Sequence, residues 1–318
     1  MVDRLEIPTP FGVGSVNSYL VGRTLVDPGP DSDESWEGLR AKLERRGLRP
    51  ADIERVLLTH PHPDHVGLAG RFHEQGATVV AGPLTASILE DFSARLEYEQ
   101  SYVRSLLPKY GMPPAVAGTI ADLMDWFRPF VRDCPVDRRL EPGDRIRTEF
   151  IDLTASFVRG HAPEEVLFSY EVDGNRRAIV GDHVLGSITP NPLLEPPRSP
   201  GESRPRVLPM YNESLSTLRT KPYDRFYPGH GDPIDDPSER IDRILDAHER
   251  RTDRVLQRVD GPTSAYEVMR SLFDDLPVTE QFGGMCEAVG HFDVLEERGL
   301  VTRVESDGAI LYERSQRR

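Results

Sequence analysis

Four side chains able to hold a metal, His60, His62, Asp64 and His65, fall within the six residues "HPHPDH", just after the apolar run Val56-Leu57-Leu58. This constrains the fold more than any other feature of the chain. A metal needs several donors converging on one point, and a single loop rarely supplies them all, so the remaining donors must come from other strand ends held together by a sheet. Loops at the carboxyl ends of buried strands are where α/β proteins build such sites. Partners of the right kind are present. "VRGHAPE", "AIVGDHV" and "FYPGHGD" supply His161, Asp182 and His230, each after a β pattern and beside glycine or proline, which lets the backbone turn sharply. His60 and His62, two apart in extended backbone, can face one ion, while Asp64 and His65 turn toward a second. Seven donors suit two ions with a carboxylate between them and a position left for a shared water.

The pattern around these motifs agrees. "RLEIPTP", "SVNSYLVG" and "RTLVDPGP" read as neighbouring strands, and Trp36, Leu39 and Leu43 recur at helical spacing before "IERVLLTH" returns to a buried strand. After a strand at "ATVVAG", residues 84–139 carry Ile88, Phe92, Leu96, Val103 and Leu106, then Ile120, Leu123, Phe127 and Phe130, at helical spacing. They read as inserted helices that cover the sheet or wall a substrate pocket. Strand patterns resume at "DRIRTEFIDL" and "EVLFSYEVDGNRRAIVGDH", with Asp173-Gly174 as a hairpin turn, and "SITPNPLLEPPRSPGESRPRVLP" reads as proline-rich loop. Asp236-Pro237-Ser238-Glu239 starts a helix running to about Val259. Two short helices and a hairpin tipped by Asp307-Gly308 then give the outline of a winged helix. The expected division is a catalytic domain over 1–236 containing the 84–139 insertion, a connecting helix over 237–258, and a winged-helix-like domain over 259–318.

The set His60-X-His62-X-Asp64-His65, His161, Asp182 and His230 resembles that of the metallo-β-lactamase superfamily, over roughly residues 5–235. The resemblance implies an α/β fold, a four-layer αββα sandwich with a dinuclear site at one edge of two sheets. It assigns His60, His62 and His161 to a first ion, Asp64, His65 and His230 to a second, and Asp182 to the bridge. Asp27 in "LVDPG" matches an acidic residue that orients a ligand histidine. One motif departs. The family commonly has Gly-His-Thr-Pro-Gly-His, whereas this chain has Gly160-His161-Ala162-Pro163-Glu164-Glu165, which keeps the ligand and lacks the second histidine.

The expected function is a dinuclear metal-dependent hydrolase using a metal-bridging hydroxide, with Asp64 or Asp182 orienting it. His183, beside Asp182, is the candidate for second-sphere hydrogen bonding or proton donation. Two divalent metal ions are expected, zinc first, with iron or manganese as alternatives. A small-molecule ester or thioester is the first substrate class, by similarity to glyoxalase II and its acyl-thioesterase relatives. The alternative is a nuclease or phosphodiesterase acting on RNA, by similarity to β-lactamase-like endoribonucleases that also end in a small winged helix.

Charge weighs against nucleic acid: the net charge is −14, and residues 259–318 hold twelve acidic and six basic side chains. Glu287, Asp293, Glu296 and Glu297 lie on the helix that would enter a groove, where they would repel phosphate. His73, His248 and His291 fall in helical patterns and read as surface or packing residues. Cys134 and Cys286 have no metal or redox spacing and read as reduced packing cysteines. With no signal pattern and no long apolar run, the expectation is a cytoplasmic protein with no membrane contact, and a homodimer is a candidate assembly.

Overall fold

In the computed structural model, which describes residues 2–197 and 201–315, the apolar runs of the sequence become two facing sheets. The first is β1 (Val2–Ile7), β2 (Val16–Val21), β3 (Thr24–Val26), β4 (Arg55–Leu57), β5 (Thr78–Ala81) and β6 (Arg138–Arg139), side by side in chain order. β1 to β3 pair antiparallel, and β3 to β6 pair parallel. The second sheet comprises β7 (Arg145–Arg147), β8 (Asp152–Val158), β9 (Glu165–Val172), β10 (Asn175–Gly181) and β11 (Arg225–Pro228), antiparallel except for the β10–β11 pair. Tyr19, Val26, Leu57 and Val80 from one sheet share a buried core with Leu153, Val166, Phe168 and Ile179 from the other, as two sheets packed face to face require.

Parallel neighbours need crossovers. α1 (Asp33–Glu44) makes the first, capped by Ser32, whose hydroxyl accepts from the Ser35 N–H. The short α2 (Pro63–Val66) and α3 (Ala69–His73) make the second. Leu39, Leu43 and Phe72 are buried, and Trp36 lies edge-on to Phe72 with ring centroids 5.5 Å apart. α4 (Pro83–Glu90), α5 (Phe92–Leu106) and α6 (Pro114–Leu123) lie between β5 and β6, within the expected insertion.

The chain forms two units. The first is Met1–Arg95, Phe127–Pro190 and Thr217–Ile241, and the second is Leu96–Trp126, Asn191–Ser216 and Asp242–Arg318. The sequence suggests consecutive segments instead. The cause lies in the second unit's core, where Val103, Leu107, Tyr110 and Ile120 of the insertion pack with Val289, Phe292, Leu295 and Tyr312. The Phe292 and Tyr312 rings stack at 3.9 Å.

Three elements differ in extent from the sequence expectation or sharpen it. α7 (Val207–Arg219) occupies the end of the proline-rich stretch, with Pro209 in its first turn, where a missing N–H is tolerated. α8 (Pro237–Gln257) starts as expected, the Glu239 N–H bonding Asp236 Oδ1 at 2.9 Å. Then come β12 (Thr263–Ser264), α9 (Ala265–Leu272), α10 (Val278–Glu297), β13 (Val301–Ser306) and β14 (Ala309–Arg314). α10 is one long helix rather than a short one. Gly284 falls inside it because a Cβ there would come within 2.8 Å of Leu276 and 3.0 Å of Met269. Asp173-Gly174 and Asp307-Gly308 turn their hairpins with positive φ at both residues (52° and 73°, 50° and 80°). Both cysteines are buried and free, and no helix among the described residues is long and apolar enough to cross a membrane.

Candidate metal centre

Every donor named from the sequence lies in the first unit, and most follow directly on the end of a strand. β4 ends at Leu57, and the chain reaches His60 and His62 before Pro63 opens α2, its fixed φ suiting a first helical position. That one turn carries Asp64 and His65. β8 leads into His161, β10 into Asp182, and β11 into His230. Gly229 is demanded by packing, since a Cβ there would lie 2.2 Å from Asp182 Oδ1 and 2.6 Å from the His65 ring.

The donors form two groups that share one carboxylate. His62 Nδ1 lies 3.1 Å from His60 Nε2 and 3.1 Å from His161 Nε2. On the other side His230 Nε2 is 3.1 Å from Asp64 Oδ2, and His65 Nε2 is 3.7 Å from the same oxygen. Asp182 reaches both: Oδ2 is 3.7 Å from His161 Nε2 and 3.4 Å from His230 Nε2, and Oδ1 is 3.5 Å from His65 Nε2. His60–His62–His161 and Asp64–His65–His230 are each compact enough to hold an ion.

The outer hydrogen bonds fix which ring nitrogens face inward. Asp27 accepts from the Thr59 N–H (2.8 Å), the Thr59 hydroxyl (2.6 Å) and His65 Nδ1–H (3.0 Å). Because the Thr59 hydroxyl donates to Asp27, it accepts from His60 Nδ1–H at 2.9 Å. His230 Nδ1–H donates to the Ser15 carbonyl at 2.8 Å. Each of these histidines thus turns the lone pair of Nε2 into the cluster. Asp27, His60 and His65 also lie close enough to form a metal group, but the oxygens of Asp27 are already engaged, which makes it a support. It holds a left-handed backbone (φ 51°), strain of a kind that gathers at functional sites.

A divalent ion fits this donor set. His65 Nε2 and Asp182 Oδ1 are buried and face each other at 3.5 Å without a hydrogen bond to any other group, an arrangement that a bound cation would satisfy better. Charge divides the cluster in the same way. Burial and neighbouring histidines drive His60 well below the ordinary imidazole range, and burial with His161 lowers His62 to about 3. Burial works against charge on His65 too, but Asp182 and Asp64 outweigh it and hold this ring well above its usual value. For His230 the same contest, against hydrogen bonds to Asp182 and Asp64, raises it to about 9. Asp182 is held well below the usual carboxylate range, burial being outweighed by His65 and His230. His60 and His62 are therefore held neutral, whereas Asp64 and Asp182 draw positive charge onto His65 and His230.

His183 stands apart from the metal groups. Its ring is fully buried, and Nδ1–H donates to Glu165 Oε2 at 2.8 Å. Sequence reasoning did not find Glu165, Thr59 or the Ser15 carbonyl. Only Thr59 carries a local signal, a hydroxyl directly before the first ligand.

Two facing sheets with a histidine and aspartate cluster at their strand ends define a metal-dependent hydrolase. The chain belongs to the metallo-beta-lactamase superfamily, whose family model matches residues 11–230. Relatives match far more than that span. The probable metallo-hydrolase YqjP of Bacillus subtilis is 29% identical over 317 residues, covering 98% of each chain. A metallo-beta-lactamase family protein from Thermus thermophilus superposes with a TM-score of 0.82 at 26% identity, covering 98% of each chain. A beta-lactamase domain protein from Burkholderia ambifaria gives 0.81 at 26% identity, covering 99% of this chain and 92% of that one.

Proposed function

We propose that the protein hydrolyses a small-molecule ester or thioester at a centre of two divalent ions, zinc being the leading metal. The observation that carries the two-ion reading is the Asp182 carboxylate, with one oxygen within 3.7 Å of His161 and 3.4 Å of His230 and the other 3.5 Å from His65. His60, His62 and His161 would hold the first ion, Asp64, His65 and His230 the second, with Asp182 between. The chemistry that bound divalent ions supply is a water ionised near neutral pH and a Lewis acid for the acyl oxygen. The chain's own part is to fix the donors. Asp27, Thr59 and Ser15 hold three rings in the ligating tautomer, and Asp64, the less buried carboxylate, or Asp182 would orient the attacking water.

The RNA reading is weaker. Of the six basic residues in 259–318, Arg298 pairs with Glu249, Arg303 pairs with Glu305, and Arg314 donates to the carbonyls of Val259 and Leu256. The expected repulsion from α10 needs a correction, because Glu287 and Asp293 are buried, Glu287 against Arg251 and Asp293 against Arg204. The case against phosphate rests instead on the net charge of −14. The winged-helix reading of the strand, two helices and hairpin stays part of this proposal, as a packing module rather than a reader of nucleic acid.

The test is metal analysis of the purified protein followed by a panel of thioesters, lactones, phosphodiesters and RNA. Turnover of a thioester or ester that changes little between roughly 50 and 200 mM salt is expected. Steeply salt-dependent RNA binding with metal-dependent cleavage would overturn the substrate class.

A further inference from the structure

The departing third motif ends in two acids, and the three residues that close it and open β9 grip three separate loops. Glu164 Oε1 accepts from the N–H groups of Leu84 (3.0 Å) and Thr85 (3.2 Å), in the first turn of α4. Glu165 Oε2 accepts from His183 Nδ1–H (2.8 Å) and from the His161 N–H (3.3 Å). The Val166 N–H donates to the carbonyl of Thr59 (2.7 Å), which precedes the first ligand.

Glu165 is the centre of this junction. It is 1% exposed, its partner ring is fully buried, and its other oxygen, Oε1, takes no hydrogen bond among the described residues. For stability alone this is a poor choice, because a buried carboxyl group with an oxygen left unpaired costs more than a well-packed apolar side chain. What the pair does offer is a link. One oxygen ties the backbone of His161 to the ring of the residue that follows Asp182.

We propose that Glu165 is a positioning residue for the metal centre. Through the His161 N–H and the His183 ring it fixes the loop of Asp182 against the loop of His161, and with it the 3.7 Å approach of Asp182 Oδ2 to His161 Nε2. The second acid thus takes up, from outside the ligand set, the position where the family commonly has histidine. The inference rests on the reading of His161 and Asp182 as ligands.

The experiment measures Zn2+ affinity by chelator competition and the visible absorption of the Co2+-loaded protein. Glu165→Leu is expected to weaken Zn2+ binding about 10–100-fold and to shift the Co2+ bands, whereas Glu165→Gln, which keeps an acceptor oxygen for both donors, stays within about threefold of wild type. His183→Phe, which keeps a ring but removes the donor, should weaken Zn2+ binding in the same direction as Glu165→Leu, and adding it to Glu165→Leu should cost little further, because the Glu165–His183 bond is already cut. Should Glu165→Leu not fold, His183→Phe carries the same expectation. Wild-type Zn2+ affinity and Co2+ spectrum in Glu165→Leu and in His183→Phe, with only a lower Tm, would overturn the positioning role. His60→Ala separates the two readings. If it binds metal as tightly as wild type, the ligand assignment fails, and this inference with it; if it loses metal while the Glu165 and His183 variants do not, this inference alone fails.

Discussion

Among the described residues, two clusters of buried titratable side chains invite comparison, and of these two the first offers a metal its donors. In the first unit, His60, His65, Asp182 and His230 are buried with lone pairs converging from several loops, two of them unpartnered. In the second, the helices hold His248, Glu287, His291 and Asp293 just as deeply, yet their charges cancel locally. Arg204 makes a bidentate pair with Asp293 at 2.6 and 2.7 Å, Arg251 meets Glu287 at 2.6 Å, and His248 Nδ1–H donates to Asn212 Oδ1 at 2.7 Å. His248 Nε2 does lack a partner, but no metal group among the described residues includes it. What marks a site is convergence of ligand atoms from several loops on one point, not burial of ionisable groups.

The largest expected effect tests the first cluster. Asp182→Ala removes the carboxylate shared by both groups and should lower kcat/KM well beyond the roughly 10–100-fold that loss of an outer partner costs, with metal lost and the fold kept. Steady-state kinetics beside elemental analysis checks this. Unchanged turnover would erase the distinction between the clusters.

The second cluster should respond in the opposite way. Asp293→Ala leaves the Arg204 guanidinium buried and unpaired, and should cost about 3–5 kcal/mol of stability while metal content stays at the wild-type level. Denaturant unfolding of the metal-loaded protein measures the first quantity and elemental analysis the second. Metal loss without loss of stability would mean that the helical cluster serves the site.

The smallest effect is a pH slope. Burial lowers His248 to about 4, against the opposing influence of Glu287, so the folded state holds this ring neutral where the unfolded chain protonates near 6.5. Stability from this source is therefore complete above pH 6.5 and falls as pH drops toward 4, by up to about 1.4 kcal/mol per pH unit. His248→Gln should flatten that slope. A slope unchanged in the variant would assign the acid sensitivity elsewhere.

The two clusters were unequally legible. The convergence of the seven side chains was legible because their motifs follow β patterns and all but His65 sit beside glycine or proline, so local sequence announces both the strand end and the turn. The αββα class came from the resemblance that those seven residues carry to the metallo-β-lactamase superfamily, not from the strand pattern itself. Glu287 and Asp293 misled, because on a helix they look like solvated charge and their partners, Arg251 and Arg204, lie 36 and 89 residues away. The grouping of residues 96–126 with the C-terminal helices was hidden for the same reason: helical spacing shows that a face is buried, not against what. Glu165 looked like the loss of a histidine until the structure showed His183 as its partner.

Calorimetric titration of the metal-free protein with Zn2+ at pH 7, repeated in buffers of different ionisation enthalpy, tests whether the cluster takes two ions and whether its halves differ in charge before metal arrives. His62 at about 3 and His60 well below its usual range are already neutral, so these two should release no protons when the first ion binds. His230 at about 9 and His65, also raised, must give up protons, so the second ion should release protons to the buffer. Two ions per chain are expected, the second with a buffer-dependent heat. A single ion per chain would overturn the two-ion reading, and two that bind with the same proton release would overturn the difference in charge between its halves.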